Sequence, residues 1–154
     1  MIFAMQQQNE KLTAVQIANN RFYGAMENAD PKAMAEIWLH ADWVKCVHPG
    51  WDLIVGWENV QESWEQIFKG KGGMRIAPTD VEITVEADFA LVSCYEMLAI
   101  FLPDRSAPVS ARTTATNLFQ FVGGKWLMVH HHASQAPNAP TVNEDPFAES
   151  REIQ

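Results

Sequence analysis

The residues with the clearest capacity for chemistry are histidines placed within or at the end of apolar segments. His48 closes the short segment KCVH, and Pro49 and Gly50 follow it directly. An imidazole titrates near neutral pH, so a histidine held at the mouth of a pocket can serve as a general base. The same residue can instead be a structural histidine that hydrogen-bonds the turn or a ligand. The segment therefore predicts one of these two roles for His48.

Strand periodicity predicts where His48 points. Side chains alternate between the two faces of a strand, so within residues 43–48 one face carries Val44, Cys46 and His48. Lys45 lies on the other face, and lysine avoids burial. We therefore expect His48 to face the interior of the protein.

Two further polar side chains stand in apolar surroundings on predicted strands. In residues 109–122, Asn117 shares its strand face with alanine, valine and phenylalanine residues. A buried amide needs a partner or a ligand, so Asn117 is either a donor to a developing oxyanion or the partner of a nearby carbonyl group. Glu96 lies in residues 89–102, which are apolar on both faces, and a carboxylate there would be costly unless paired or protonated.

Three consecutive histidines, residues 130–132, raise the question of a metal site. His130 and His132 would share one strand face, but neither an HxxxH spacing nor an acidic companion accompanies them. Because the number of ligands decides whether such a site binds a metal, we expect no metal and no cofactor. The sequence leaves open which face of this last strand lines the interior.

Capping signals and helical periodicity predict the helices that position these side chains. Thr13 and Gln16 have the spacing of a capping box, and Asp30 and Pro31 suit the N-cap and first position of a second helix. Residues 57–68 form a third helical pattern, ended by glycines. In the first helix, apolar residues recur at steps of three and four, namely at Ala14, Ile17, Ala18, Phe22, Ala25 and Met26.

The second half of the chain is predicted to be strands. They are residues 81–86, 89–102, 109–122 and 125–134, with a tight hairpin turn at Gly123-Gly124. Helices followed by hairpin-linked strands indicate an α+β fold, with three N-terminal helices packed on a curved, mostly antiparallel sheet. Such an arrangement leaves a cone-shaped cavity suited to a small molecule.

Composition and charge argue against several classes of partner. The formal net charge of -8 disfavours binding to a nucleic-acid backbone or an anionic membrane. Apolar stretches fall short of the ~18 residues that span a bilayer, and the N-terminus lacks the features of a signal peptide. We therefore expect a cytoplasmic protein with no nucleic-acid and no membrane partner, in which Cys46 and Cys94 are buried free thiols.

The order of elements resembles the NTF2-like or SnoaL-like superfamily, which includes the ketosteroid isomerases. Two stretches carry the resemblance, NADPKAMAEIWLHADWVKCVHPGW with GWENVQESWEQIF, and ARTTATNLFQFVGGKWLMVHHHAS. The resemblance covers roughly residues 10–134 and implies a SnoaL-like domain over 11–134. Residues 1–10 are then an N-terminal extension, and residues 135–154 a tail that is loose or packed on a partner subunit.

The resemblance also implies roles for individual residues. His48 stands where the isomerases keep their aspartate base, and Asn117 stands where they keep a protonated aspartate. Phe22 is the nearest match to their oxyanion-binding tyrosine, with Tyr23 adjacent but turned about 100° around the helix. The comparison also turns His131 inward, together with Val129. Because the isomerase triad is incomplete, the resemblance does not imply ketosteroid isomerisation itself.

Together these patterns predict a small-molecule-binding protein with an apolar pocket. It would be a cofactor-independent isomerase or lyase that moves a proton on a small carbonyl compound; the alternative is a non-catalytic ligand-binding or dimerisation domain. A homodimer is expected through the outer sheet face, where Trp126 and Met128 would otherwise be exposed. His48 and Asn117 are the predicted catalytic residues. The predicted ligand contacts are Phe22, Tyr23, Trp51, Trp57, Glu96, Val129 and His131, the two tryptophans being either pocket walls or ordinary core aromatics.

Overall fold

The computed structural model describes residues 1–70 and 72–137, and these form three helices and six strands. The predicted C-terminal tail lies outside the described residues from position 138 onward. The helices are α1 (Ile2–Glu27), α2 (Pro31–Ile37) and α3 (Trp57–Phe68). The strands are β1 (Lys45–Val47), β2 (Ile54–Val55), β3 (Met74–Glu86), β4 (Phe89–Ile100), β5 (Val109–Val122) and β6 (Lys125–Gln135).

The strands make one sheet in the order β2-β1-β6-β5-β4-β3. Its pairs are antiparallel except for β1 and β6, which run parallel. The helices cover one face, so the predicted α+β class with a mostly antiparallel sheet is confirmed. We call the helix-covered face the inner face and the space between it and the helices the interior.

Helix α1 differs from the prediction at its start and at one residue of its predicted apolar face, whereas Phe22, Ala25 and Met26 are buried as predicted. It begins at Ile2, and Thr13 Oγ1 donates to the Asn9 carbonyl oxygen at 3.0 Å within the helix instead of capping it. Ile17, expected in the core, is 46% exposed, whereas Asn19 is buried. The buried face therefore includes the polar residue Asn19 in addition to the predicted apolar residues.

Local signals set the other helix and strand ends. Ala33 donates its amide hydrogen to Asp30 Oδ1 at 3.1 Å, so Asp30 caps α2 as predicted. Helix α3 and strand β5 have the predicted bounds, and Gly123 and Gly124 form the hairpin turn with φ of 58° and 82°. Strand β3 begins earlier than predicted, at Met74 rather than at residue 81.

A β-bulge in β6 corrects the prediction for the outer face of the sheet. Leu118 pairs with His130 and Phe119 pairs with Met128, so Val129 is the extra residue. A bulge of this kind shifts the alternation by one position, and both Met128 and His131 consequently point inward and are buried. Met128 therefore does not lie on an exposed outer face, and the expectation of a dimer loses that support.

Candidate functional site

His48 directly follows the last residue of β1. Its side chain is 3% exposed, which confirms the predicted inward orientation. Its Nε2 is 2.8 Å from Ser63 Oγ on α3, and Ser63 Oγ donates its single hydrogen to the Val60 carbonyl oxygen at 2.6 Å. Ser63 must then accept from His48, which places the proton on Nε2 and leaves Nδ1 as the basic nitrogen. Burial lowers the pKa of His48 to about 4, so the imidazole is neutral at physiological pH.

Asn117 is the centre of a buried hydrogen-bond network that joins α1, β5 and β6. Its Nδ2 donates to Asn19 Oδ1 at 2.9 Å and to the Tyr23 hydroxyl at 3.1 Å, and its Oδ1 is 2.6 Å from His131 Nδ1. Asn117 was predicted as an oxyanion donor, but both of its amide hydrogens are engaged within the protein. We therefore regard it as a residue that positions Tyr23 and His131.

Tyr23, rather than Phe22, supplies a phenol to this network. The Tyr23 hydroxyl lies 3.2 Å from Cys94 Sγ in addition to its contact with Asn117. Burial, reinforced by the nearby Glu96 carboxyl, raises the pKa of Tyr23 far above its usual value, so the phenol stays protonated. The sequence comparison matched Phe22 to the family tyrosine, whereas the structure brings the adjacent residue to Asn117.

Glu96 is a buried acid on β4, with an exposure of 2%. Thr113 donates its hydroxyl hydrogen to Glu96 Oε1 at 2.5 Å, while Oε2 has no hydrogen-bond partner among residues 1–70 and 72–137. The Tyr23 phenol and the Glu96 carboxyl are close enough for each to affect the pKa of the other. Tyr23 nevertheless forms no well-aligned hydrogen bond with Glu96 Oε2. Burial raises the pKa of Glu96 despite the Thr113 hydrogen bond, which favours the neutral acid.

The two histidines and the Asn117 network converge on the same side of the sheet, but aromatic rings occupy the space between them. The His48 and His131 rings are 6.5 Å apart, and Trp64 contacts both at 4.5 Å and 6.0 Å between ring centroids. Phe22 packs against His131 at 4.8 Å and against Trp64 at 5.6 Å. The open apolar pocket predicted at this position is therefore filled by side chains.

A cavity of about 200 Å³ lies next to this packed region. Met26, Phe68 and Ile100 are among its lining residues. Phe68 contacts Trp64 at 5.8 Å between ring centroids, and Met26 follows Phe22 and Tyr23 by about one helical turn. Phe68 therefore contacts both the cavity and the Trp64 ring that packs against His48.

The remaining predicted ligand contacts fall in different places. Trp51 is 41% exposed and meets the His48 ring edge-on at 4.9 Å, so it covers His48 from outside. Trp57 instead stacks on His40 at 4.5 Å and faces Trp38, away from the His48 cluster. Val129 is buried at the bulge, beside the inward-facing strand segment that carries His131.

The structure separates the three consecutive histidines. His131 is buried on the inner face, whereas the rings of His130 and His132 lie 6.3 Å apart on the other side of β6. Within residues 1–70 and 72–137, no cluster of three or more histidine, cysteine, aspartate or glutamate side chains is arranged to hold a metal ion. None of the helices in these same ranges combines the length and the apolar character needed to span a membrane.

Asn19 is a site residue that the sequence interpretation missed. It is 1% exposed and its Oδ1 accepts from Asn117, while its Nδ2 is buried without a partner in the described part of the chain. Its spacing of four residues from Tyr23 is the signal that could have identified it, because such residues lie on one helix face. A polar side chain on the face that carries Tyr23 predicts a shared hydrogen-bond network.

Comparison with known proteins agrees with this architecture. The model of the SnoaL-like domain matches residues 15–138. The chain belongs to the SnoaL-like domain family. A proposed dehydratase of the NTF2-like family from Streptomyces avermitilis has a similar structure, with a TM-score of 0.77, 31% identity, and coverage of 84% of this chain and 99% of that chain.

Two further proteins are similar to this chain, one in structure and one in sequence. A proposed calcium/calmodulin-dependent protein kinase type II association domain from Thiobacillus denitrificans has a TM-score of 0.70 and 30% identity, covering 79% of this chain and 94% of that chain. F-box protein SKIP8 of Arabidopsis thaliana is 31% identical over 121 residues, or 79% of this chain and 49% of that protein. The chain thus spans about half the length of this curated relative.

Proposed function

We propose that this SnoaL-like protein catalyses cofactor-independent proton transfer on a small carbonyl compound, in an isomerisation or an elimination of water. The observation that carries the proposal is the burial, on the inner face of the sheet, of two histidines whose rings lie 6.5 Å apart and of the acid Glu96. His48 and His131 have pKa values lowered by burial, whereas the pKa of Glu96 is raised by burial. Groups whose environments shift their pKa values in opposite directions are typical of acid–base sites.

The geometry suggests a division of roles. His48 Nδ1 would accept the substrate proton, since its Nε2 is held by Ser63 at 2.8 Å. The Tyr23 phenol and the protonated Glu96 would donate to the oxygen on which negative charge develops. Asn117 would hold Tyr23 in place through the 3.1 Å hydrogen bond.

Unpartnered buried donors favour a substrate with acceptor oxygens. Asn19 Nδ2 and Trp64 Nε1 are buried without partners in the described part of the chain, and Glu96 Oε2 carries a proton in the neutral acid. A buried donor without a partner costs about 1–3 kcal/mol. A carbonyl or hydroxyl oxygen that accepts from these groups would recover part of that cost.

Access and size support a small, mainly apolar ligand. The cavity of about 200 Å³ is lined by Met26, Ile67, Phe68 and Ile100 among others. It is smaller than the sites of roughly 300–1,000 Å³ that hold drug-sized molecules. Reorientation of Phe68 would let a ligand of a few carbon atoms reach Trp64, which contacts the His48 and His131 rings.

The similar protein from Streptomyces avermitilis supports the elimination form of the proposal, because it is named as a proposed dehydratase at 31% identity. Elimination of water from a β-hydroxy carbonyl compound needs a base at the α-carbon and an acid at the leaving hydroxyl. A buried neutral histidine is suited to the first role and a protonated glutamate to the second. In an elimination, Tyr23 alone would then donate to the carbonyl oxygen, whereas in an isomerisation Glu96 would donate there as well.

The test is incubation of the purified chain with a panel of small β-hydroxy and β,γ-unsaturated carbonyl compounds in D2O, followed by NMR. The expected result is deuterium incorporation or loss of water, reduced at least about 100-fold in His48→Gln and Glu96→Gln, as for loss of a general acid or base. His132→Gln is the matched control, because His132 is exposed on the other side of β6. Ligand-induced thermal stabilisation without exchange for any compound would show a binding protein without this chemistry.

A second candidate function is self-association through the outer face of the sheet. Phe89 and Leu91 on β4 are each 45% exposed, and Leu91 lies opposite the half-buried Leu118 on β5. The Thiobacillus denitrificans relative, named as a proposed association domain at 30% identity, supports this candidate. Exposed apolar groups in adjacent strands are the usual sites of such contacts.

Sedimentation equilibrium tests this second candidate. Leu91→Arg should convert a homodimer to monomers, whereas Leu53→Arg should leave it intact, because Leu53 is 51% exposed but lies in the loop before β2. A wild-type chain that is monomeric at all accessible concentrations would exclude the homodimer.

A further inference from the structure

We infer that Asn19 is a positioning residue that sets, through Asn117, which nitrogen of the buried His131 carries the proton. The inference deepens the proposed function, because it assigns the basic atom of a second histidine in the same site. Asn19 lies on α1, Asn117 on β5 and His131 on β6. A hydrogen-bond relay therefore links the helix to the last strand.

The first step of the relay fixes the orientation of the Asn117 amide. An amide oxygen only accepts and an amide nitrogen only donates. Asn19 Oδ1 is 2.9 Å from Asn117 Nδ2, and the Tyr23 hydroxyl, at 3.1 Å, takes the second hydrogen of the same nitrogen. With both hydrogens directed toward α1, Asn117 Oδ1 faces the neighbouring strand.

The second step fixes the tautomer of His131. Asn117 Oδ1 lies 2.6 Å from His131 Nδ1 and has no hydrogen to donate, so Nδ1 must carry the proton. His131 is 2% exposed, and its burial together with the nearby histidines keeps the ring neutral. A neutral imidazole has one N–H, which leaves the lone pair on Nε2.

The consequence for the site is a second basic nitrogen with a defined position. The His131 ring lies 6.5 Å from the His48 ring and 4.8 Å from the Phe22 ring. His131 Nε2 is therefore a second unprotonated nitrogen in the site, while Nδ1 remains held by Asn117. Second groups that orient an imidazole in this way are common at sites of proton transfer.

The inference is directly testable, because reversing both amide orientations would place the His131 proton on the other ring nitrogen. If both amides were turned over, Asn19 would donate to Asn117, Asn117 would donate to His131 Nδ1, and the His131 proton would lie on Nε2. The tautomer of His131 thus reports the orientation of both amides. It can be measured without any substrate, so its outcome is independent of the proposed reaction.

The experiment is long-range 1H–15N correlation NMR of the uniformly labelled full chain at neutral pH, with the His131 signals assigned from the His131→Gln variant. We expect a protonated-type shift at Nδ1 and an unprotonated-type shift at Nε2. Asn19→Leu removes the acceptor for Asn117 and should move both shifts toward intermediate values. Asn19→Asp keeps an acceptor oxygen and should preserve the wild-type shifts.

Asn20→Leu is the matched control, because Asn20 is the next residue of α1 and is exposed. It should leave the His131 shifts unchanged. A wild-type proton on Nε2 would overturn the inference, and wild-type shifts in folded Asn19→Leu would show that Asn19 does not set the tautomer. If Asn19→Leu fails to fold, Asn19→Ala, which also lacks the acceptor oxygen, is measured in its place with the same two outcomes.

Discussion

Asn117 and His131 face each other directly across strands β5 and β6, and their side chains are joined at 2.6 Å between Oδ1 and Nδ1. The cross-strand register alone brings the two side chains close together. The contact from Asn117 to Asn19 and Tyr23 then connects the pair to α1. Removal of any member leaves a buried polar group without its partner, so the cluster is expected to lose activity and stability together.

The first prediction concerns the pH dependence of stability from His48. Its pKa is lowered from 6.5 to about 4 in the folded chain, so below pH 6.5 the unfolded chain binds this proton and the folded chain does not. Stability is therefore complete above pH 6.5 and falls as the pH drops toward 4, by up to about 3 kcal/mol from this residue. Urea unfolding across this range should show the fall in the wild type and a smaller one in His48→Gln.

The control for this prediction is His132→Gln, which changes an exposed histidine on β6. His132→Gln should lose as much stability as the wild type when the pH falls from 6.5 toward 4. His131, whose pKa is also lowered, contributes to the same fall and should remain as the residual slope in His48→Gln. If the free energy of unfolding fell equally with decreasing pH in wild type and His48→Gln, protonation of His48 would not destabilise the folded chain.

Glu96 should have the opposite effect on stability at higher pH. Burial raises its folded pKa above the ordinary value of 4.5, so the folded chain holds the proton more tightly and loses stability as the pH rises through that folded pKa. Glu96→Gln keeps an acceptor for Thr113 and removes the ionisation. Denaturant unfolding should therefore show Glu96→Gln more stable than wild type at alkaline pH, with Glu82→Gln, an exposed change on β3, close to wild type. If the wild type were more stable than Glu96→Gln at alkaline pH, Glu96 would not be a buried neutral acid.

Elements with strong local signals could be predicted from the sequence, and elements shaped by long-range packing could not. Helix α3 has a clear apolar face and glycines at its end, and β5 alternates before a double-glycine turn, so their bounds followed from pattern alone. His48 was oriented correctly for the same reason, because Lys45 identified the outer face of β1. These inferences need only the residues within one element.

The errors arose where one residue changes the pattern or where distant elements meet. The extra residue Val129 breaks strict alternation in β6, so Met128 was placed on the wrong face. The filling of the interior by Phe22 and Trp64 depends on how α1 and α3 meet over the sheet, which no single segment records. The role of Asn19 was missed because its partner Asn117 is 98 residues away in the sequence.

Gly72 is expected to be required for stability. It has a φ of +105°, and a Cβ atom placed there would lie 1.7 Å from the Phe101 carbonyl oxygen. Gly72→Ala should lower the free energy of unfolding by at least about 2–3 kcal/mol, from backbone strain and the forced shift of Phe101. Gly50→Ala is the control, because φ is +81° there but a Cβ atom meets nothing within 4 Å. Both variants are measured by urea unfolding. If Gly72→Ala lowers the free energy of unfolding no more than Gly50→Ala does, the loop around Gly72 can accommodate a Cβ atom.

The last prediction tests whether Phe68 covers the path from the cavity to the interior. Trp38 and Trp64 each have a buried indole N–H without a partner in the described part of the chain. The Phe68 ring is 5.8 Å from that of Trp64 and lines the cavity of about 200 Å³. Phe68→Ala should enlarge the cavity and admit water to Trp64, at a cost of about 2–4 kcal/mol in stability.

Hydrogen exchange of the two indole groups, followed by NMR in D2O, separates this local opening from general destabilisation. In Phe68→Ala, exchange at Trp64 Nε1 should accelerate more than at Trp38 Nε1, because Trp38 packs near Trp57 and not beside Phe68. Global unfolding alone would accelerate both indoles by the same factor. Equal acceleration would therefore place the ligand path elsewhere, and selective acceleration at Trp64 would support access through the cavity beside Phe68.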